Sequence, residues 1–299
     1  LVDLSSVAII EPVAASFEGV GVEVYRDLAA LRAAVADARA GGREVALVPT
    51  MGALHAGHIA LVEAARRPGT AVVASIFVNP KQFGANEDLS RYPRKETGDI
   101  AMLTDAGCDM LWLPPVEAMY PDGFATNVSV AGVTETLDGA ARPGHFDGVA
   151  TVVAKLFNQV RPTRAYFGEK DFQQLAVVRR MAADLDFGIE IVGVPTQRAD
   201  DGLALSSRNV YLDDEERQKA LALPRALGVA RQAILAGGEV AGALAAAEAT
   251  LTRAGFALDY IALVDAETLA ADPAPGRRRQ LLAAARMGAT RLIDNLAVD

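Results

Sequence analysis

Apolar residues fall into two alternating rhythms over the first two thirds of the chain. Short, nearly continuous apolar runs predict strands covered on both faces: Glu44–Pro49 (EVALVP) and Ala71–Val78 (AVVASIFV) are the clearest. Stretches with helical spacing separate such runs, at Ile59–Arg67, Lys95–Asp105, Gly148–Gln159 and Phe172–Leu185. Further strands are expected at Asp109–Leu113, stopped by Pro114-Pro115, at Ala165–Phe167, and at Ile189–Val194, closed by Pro195. Strands that alternate with helices predict an α/β fold, a parallel sheet built from right-handed crossovers. Ligands of such sheets bind beyond the carboxyl ends of the strands, which directs attention to the loops after Val48, Val78, Phe167 and Val194.

Beyond about Thr196 the rhythm changes. Asp213–Ala236 and Glu239–Ala254 read as Ala-rich helices charged on one side, and Tyr260–Val264, Gln280–Arg286 and Arg291–Ile293 as strands of a small separate sheet. A boundary here divides the chain into a larger unit, 1–196, and a smaller α+β unit, 197–299. Asp272–Arg279 (DPAPGRRR) reads as a surface loop with solvated arginines. No internal repeat is visible.

Composition narrows the partners. The 299 residues are 51% hydrophobic and 22% charged, ordinary for a globular chain. A net charge of −9 argues against nucleic acid as a partner, because a nucleic-acid footprint needs clustered Lys and Arg. It leaves room for a local basic pocket. The single cysteine, Cys108, excludes an internal disulfide, fits a reducing compartment, and is expected to be a buried small hydrophobe. No run reaches the ~18 apolar residues of a membrane span. Leu1 to Phe17 lacks a basic region and carries Glu11, so it does not read as a signal peptide. The expected location is the cytoplasm, away from membranes.

The most informative loop is Pro49-Thr50-Met51-Gly52-Ala53-Leu54-His55-Ala56-Gly57-His58, between a predicted strand and a predicted helix. Gly52 and Gly57 permit a tight turn and close backbone approach, and a helix starting just after Gly57 would aim unpaired N–H groups at a phosphate. Two of the three histidines, His55 and His58, sit here three residues apart, so the first helical turn would bring both rings to one side. They can donate to phosphate oxygens and, if protonated, add charge; the alternatives are a capping pair or a metal site, for which no third ligand is evident.

Two more segments suit phosphate. Gly168-Glu169-Lys170-Asp171 follows a short strand and opens a helix, with Lys170 as a point charge and Asp171 as either a helix cap or a ribose ligand. Leu205-Ser206-Ser207-Arg208 offers two hydroxyls and a fork-shaped guanidinium, or else a polar linker to the next helix. Gln82, after the second strand, and Gln174, one helical turn beyond Asp171, could hold a small polar acid, with Val152 and Val153 as an apolar wall if they are not simply core. Arg142-Pro143-Gly144-His145-Phe146 reads as a ligand-facing or gating loop, or a plain surface one.

His55-Ala56-Gly57-His58 resembles the H-x-G-H motif of the nucleotidyltransferase superfamily that includes class I aminoacyl-tRNA synthetases. Together, PTMGALHAGH, FVNPKQF, RPGHFDGV, FGEKDFQQL and DGLALSSRN resemble the pantothenate synthetase family in order and spacing. The resemblance implies a Rossmann-like sheet with helices on both faces and a smaller C-terminal α+β lid. It implies ATP-dependent condensation of (R)-pantoate with β-alanine through pantoyl adenylate, releasing AMP and pyrophosphate, on the route to coenzyme A. It also implies Mg²⁺ dependence, without metal ligands being assigned, and a homodimer. By the same matching, Met51, Gly52, Ala53, Leu54, His55, Ala56, Gly57 and His58 line ATP, with His58 as general acid. Gly168, Glu169, Lys170, Asp171, Leu205, Ser206, Ser207 and Arg208 hold the nucleotide and its phosphates, and Gln197 lies near the adenine. The reaction then falls to His55, His58, Lys170, Ser206, Ser207 and Arg208. Gln82 and Gln174 hold pantoate, and Gln82 also meets β-alanine. Two positions depart from the family pattern: Ala56, where an acid is common, and Gln197, where Val is common. Another nucleotidyltransferase, a short tRNA synthetase, or a non-catalytic ATP-binding protein are the competing readings.

Overall fold

The computed structural model describes residues 21–84, 87–271, 273–274 and 276–299. The expectation for Leu1 to Phe17 lies outside these residues. Six strands form one sheet: β1 (Glu23–Tyr25), β2 (Glu44–Thr50), β3 (Thr70–Ile76), β4 (Met110–Trp112), β5 (Arg164–Gly168) and β6 (Glu190–Val194). Their order is β1-β4-β3-β2-β5-β6 and every adjacent pair is parallel. Around it, in chain order, run α1 (Leu28–Ala40), α2 (Ala56–Ala65), α3 (Glu96–Asp105), the short α4 (Val116–Met119) and α5 (Asp138–Ala141), α6 (His145–Val160) and α7 (Phe172–Asp184).

The side-chain alternation of β2 shows why the sheet is covered twice. Val45 and Leu47 point into a core with Leu31 of α1, Phe157 of α6 and Val177 of α7. Ala46 and Val48 point into the opposite core, with Leu61 of α2 and Leu103 of α3. With both faces buried, the strand reads as a continuous apolar run rather than an alternating one.

The sheet reverses its winding between β2 and β5. There the chain has stepped outward from β2 to β3 to β4 and returns to β2's other side. Such a reversal opens a crevice at the strands' carboxyl ends.

The smaller sheet is antiparallel, in the order β7-β8-β9, from β7 (Ala257–Asp265), β8 (Arg279–Met287) and β9 (Thr290–Ala297). Helices α8 (Asp214–Ala220), α9 (Ala222–Leu235) and α10 (Val240–Arg253) precede it. Leu281, Ala283 and Ala285 of β8 pack with Leu227 of α9 and Leu251 of α10 in one core. Val264 and Leu282 join the core of the larger sheet instead.

Several expectations need correction. The single helix expected over Asp213–Ala236 is two, α8 and α9. Pro224 explains this: it lacks an N–H and its ring would collide with the carbonyl of Ala220 in a continuous helix. The last strand, read as Arg291–Ile293, runs to Ala297. β1, only three residues long, and α1, whose Leu28, Leu31 and Val35 share one face, add to the expected elements. The Asp272–Arg279 loop is not simply solvated, since Arg277 forks onto Asp265 at 2.7 and 3.1 Å. Cys108 is buried and burial pushes its thiol up to about 12, so it is a packing residue.

Candidate active site

The crevice begins with the turn leaving β2. Gly52 and Ala53 take positive φ, 82° and 50°. A Cβ on Gly52 would lie 3.0 Å from both Asp99 Oδ2 and Ile76 Cγ2, so glycine is required twice over, by conformation and by space. Buried Asp99, reaching from α3, accepts the N–H of Ala53 at 2.9 Å and of Leu54 at 2.8 Å. Desolvation raises its carboxyl pKa, so these bonds are what hold the carboxylate in place. Gly52, Ala53 and Leu54 therefore shape the turn without lining the cleft, and Ala56 is exposed. Met51, His55, Gly57 and His58 do line it.

The helix expected after Gly57 starts earlier, at Ala56, because His55 caps it. His55 Nδ1 accepts the N–H of Gly57 at 3.1 Å, and His58 Nδ1 accepts the N–H of His55 at 3.3 Å. A pair of caps and a pair of ligand donors are thus compatible: the caps occupy Nδ1, and each neutral ring keeps its Nε2–H for the cleft. The ring centroids are 4.1 Å apart. Burial, then Lys170, lowers His55 to about 4; burial, then His55, lowers His58 to about 3. The protonated form that would add charge is therefore disfavoured, and both rings are neutral at pH 7.

His145 is held down likewise, to about 4, by burial and by Arg142. Unfolded histidine takes a proton near 6.5, so below that pH the unfolded chain binds up to three more protons than the native one. Stability is expected to fall as pH drops from 6.5 toward 4, and not to respond to these rings above 7. Urea midpoints measured between pH 7.5 and 5 should show this decline; a flat profile would mean the three rings are solvated.

The facing wall comes from β5 and the segment after β6. Gly168, Lys170, Asp171 and Gln174 line the cleft with Leu205, Ser206, Ser207 and Arg208. Asp171 makes no capping bond to α7; its carboxylate stands 3.7 Å from Lys170 Nζ instead. Glu169 is not in the lining, and its carboxylate lies against Gly193. Ser206 Oγ accepts the N–H of Arg208 at 3.2 Å, and Ser207 Oγ is 3.0 Å from the Tyr92 hydroxyl. Arg208 forks onto Asp88 at 3.0 and 2.9 Å, so a carboxylate occupies the guanidinium that was expected to face phosphate. Gln197 is in the lining, but its amide turns back to donate to the Pro195 carbonyl at 3.0 Å.

The cleft has two adjoining chambers, one of about 200 Å³ and one of about 610 Å³. Gln82, Lys170, Asp171, Gln174, Ser206 and Arg208 border both. In the smaller chamber Gln82 is fixed by Asn79, whose Nδ2 donates to Gln82 Oε1 at 2.9 Å and to the Gly148 carbonyl at 3.0 Å. Gly148 must be glycine, since a Cβ there would sit 2.4 Å from the Lys81 carbonyl oxygen. Val149, Val152, Val153 and Leu156 of α6 supply an apolar wall, so Val152 and Val153 are both core and lining. Gln173, beside Gln174, does something different: it accepts the N–H of Asp138 and donates to the Val133 and Thr136 carbonyls. His145 closes the rim, with Nδ1 2.9 Å from the Gln82 carbonyl and Nε2 3.0 Å from Arg142. Asn79 entered the sequence reading only as part of FVNPKQF, without a role, and Asp99 and Tyr92 were not singled out; an acid in the first turn of α3 is ordinary for a helix, so no local signal marked Asp99.

The geometry meets known proteins at this point. A pantothenate synthetase of Rhizorhabdus wittichii is 64% identical over 279 residues, 93% of this chain and 99% of its own length. One from Sphingopyxis alaskensis is 59% identical over 281 residues, 93% and 100% of the two chains. The solved pantothenate synthetase of Thermus thermophilus matches with a TM-score of 0.87 and 54% identity, over 93% of this chain and 99% of that one. The pantoate-beta-alanine ligase of Francisella tularensis, solved in complex with beta-gamma ATP and beta-alanine, matches with a TM-score of 0.76 and 30% identity, over 93% and 98%. Residues 23–297 match the family model described as pantoate-beta-alanine ligase. With nearly its whole described length covered in each comparison, the chain belongs to the pantoate-beta-alanine ligase family.

Proposed function

We propose that this chain joins pantoate to β-alanine at the expense of ATP, through a pantoyl adenylate formed at the carboxyl ends of β2 and β5. The observation that carries this reading is convergence: the capped histidine pair, Lys170 and the Ser206-Ser207 pair line one chamber.

In the first step a pantoate carboxylate oxygen attacks the α-phosphorus of ATP. The new O–P bond forms as the bond to pyrophosphate breaks. Little covalent help is needed from the protein beyond positioning and charge stabilisation. His55 and His58 supply Nε2–H donors, Lys170 a point charge, and Ser206 and Ser207 hydroxyls. A general-acid role for His58 requires the triphosphate's own negative charge to raise its pKa. In the second step the amine of β-alanine attacks the acyl carbon, the C–N bond forms, AMP leaves, and the nitrogen releases a proton. Gln82 and Gln174 take the polar groups of pantoate, and the α6 valines its methyls.

Mg²⁺, brought in with ATP, would neutralise phosphate charge. Among the described residues no cluster of three or more His, Cys, Asp or Glu could hold a metal alone. An ion carried mainly by phosphates and water needs one or two carboxylates at most, and Asp171, uncommitted to its helix, is suited to that. The boundary between binding unit and lid falls at 196/197 in this reading, just past the end of β6. Work in the cytoplasm and assembly as a homodimer belong to the same proposal, supported by the likeness to the family; sedimentation velocity tests the dimer.

Incubation with ATP and pantoate should yield about one pyrophosphate per active site, and added β-alanine should turn this into steady AMP release. No pyrophosphate without β-alanine would remove the adenylate step. Gln82→Ala is expected to raise the KM for pantoate at least ~10-fold with a much smaller change for ATP. Equal weakening of both would count against Gln82 as an acid-binding residue.

A further inference from the structure

The turn that carries Lys170 is held from outside its own sheet. Asn295, a buried residue of β9, points its amide at the Glu169–Asp171 turn. Its Nδ2 donates to the carbonyls of Glu169 and Lys170, both at 2.9 Å. Its Oδ1 accepts from Gln280 Nε2 at 2.7 Å, from the neighbouring strand β8. Both amide hydrogens and the oxygen are thus used, and the contact to Gln280 decides which end of the amide faces the turn. Next to it, buried Asp294 takes both terminal nitrogens of Arg198, each at 2.8 Å, and so anchors this part of β9 to the strand-like segment leading to Ser206.

An amide that binds two consecutive carbonyls fixes the path of the backbone between them, and Lys170 leaves that path toward the cleft. We infer that Asn295 is a positioning residue for Lys170: it makes the placement of the ammonium conditional on the seating of the C-terminal sheet. The inference rests on the role proposed above for Lys170. Asn295 itself lines neither chamber; it reaches the cleft only through the backbone of Lys170.

The test is a double-mutant cycle read by single-turnover pyrophosphate formation, with KM values for ATP and pantoate and a thermal melt for each variant. Asn295→Ala is expected to slow pyrophosphate formation roughly 10-fold, raise the KM for ATP, and leave the KM for pantoate unchanged. In a Lys170→Ala background it should cause no further loss, because the group it places is gone. Losses that multiply would make Asn295 a general stability residue and overturn the inference, as would a normal rate for Asn295→Ala. If Lys170→Ala alone keeps wild-type turnover, the proposed role of Lys170 falls first and the inference with it. Gln280→Met, which leaves Asn295 in place but unoriented, is the second variant and should repeat the pattern with a smaller loss. If neither variant folds, the amides are structural and the inference is wrong.

Discussion

Lys170→Ala is expected to lower the rate of pyrophosphate formation by at least ~10²-fold without unfolding the protein. Its Nζ is the cation placed in the wall shared by both chambers, and its nearest carboxylate, Asp171 Oδ2, is a loose 3.7 Å away. Arg208, by comparison, is committed to Asp88 through two bonds. Removing the ammonium subtracts its attraction for the triphosphate. Lys170→Arg should restore little, because a planar fork cannot take the place of a compact ammonium on a flexible stem. The melting temperature should barely move, since a loose pair of this kind contributes little to stability. Rapid-quench measurement of pyrophosphate decides the matter, and turnover within a few-fold of wild type would take Lys170 out of the reaction.

The second large effect concerns stability. Arg291 of β9, partly buried, lies between two carboxylates, donating to Asp138 Oδ1 and, at 2.6 Å, to Asp259 Oδ2. Tyr260 adds its hydroxyl to the same Asp138 oxygen at 3.0 Å. Asp138 opens α5 in the larger unit, and its N–H is already bound by Gln173, so the cluster ties the small sheet to the large one. Removing the guanidinium strands the buried Asp138 carboxylate, and Arg291→Met is expected to cost about 3–5 kcal/mol. Urea denaturation measures it directly. The double variant Arg291→Met with Asp138→Leu should recover part of the loss, because it removes the stranded charge. A loss below about 1 kcal/mol would mean that the cluster behaves as a solvated surface pair.

These two sites differ in how far they could be seen from sequence. Lys170 stands out because it follows a short apolar strand and a glycine, both neighbours in the chain. Arg291 sits in an ordinary-looking strand, and its partner Asp138 is 153 residues away. The same contrast runs through the cleft. The HAGH turn is legible, while Asp99, which fixes it from 46 residues away at Ala53, is not. The capping use of His55 and His58 was one of several open possibilities until the start of α2 was known.

Local pattern alone determined the alternation of strand and helix, the parallel sheet, the change of rhythm near Thr196, and the loops in which the polar residues gather. Those features depend on neighbours within a few residues: continuous apolar runs, helical spacing, and Gly or Pro stops. Pro224 shows the limit even there, since its effect is local but was outweighed by the surrounding helical pattern. Only the tertiary structure decided which proton each histidine keeps, that Asp88 takes the fork of Arg208, and that Asn295 holds the Lys170 turn. Each of those is a bond between groups far apart along the chain, and spacing in sequence carries no record of distances created by folding.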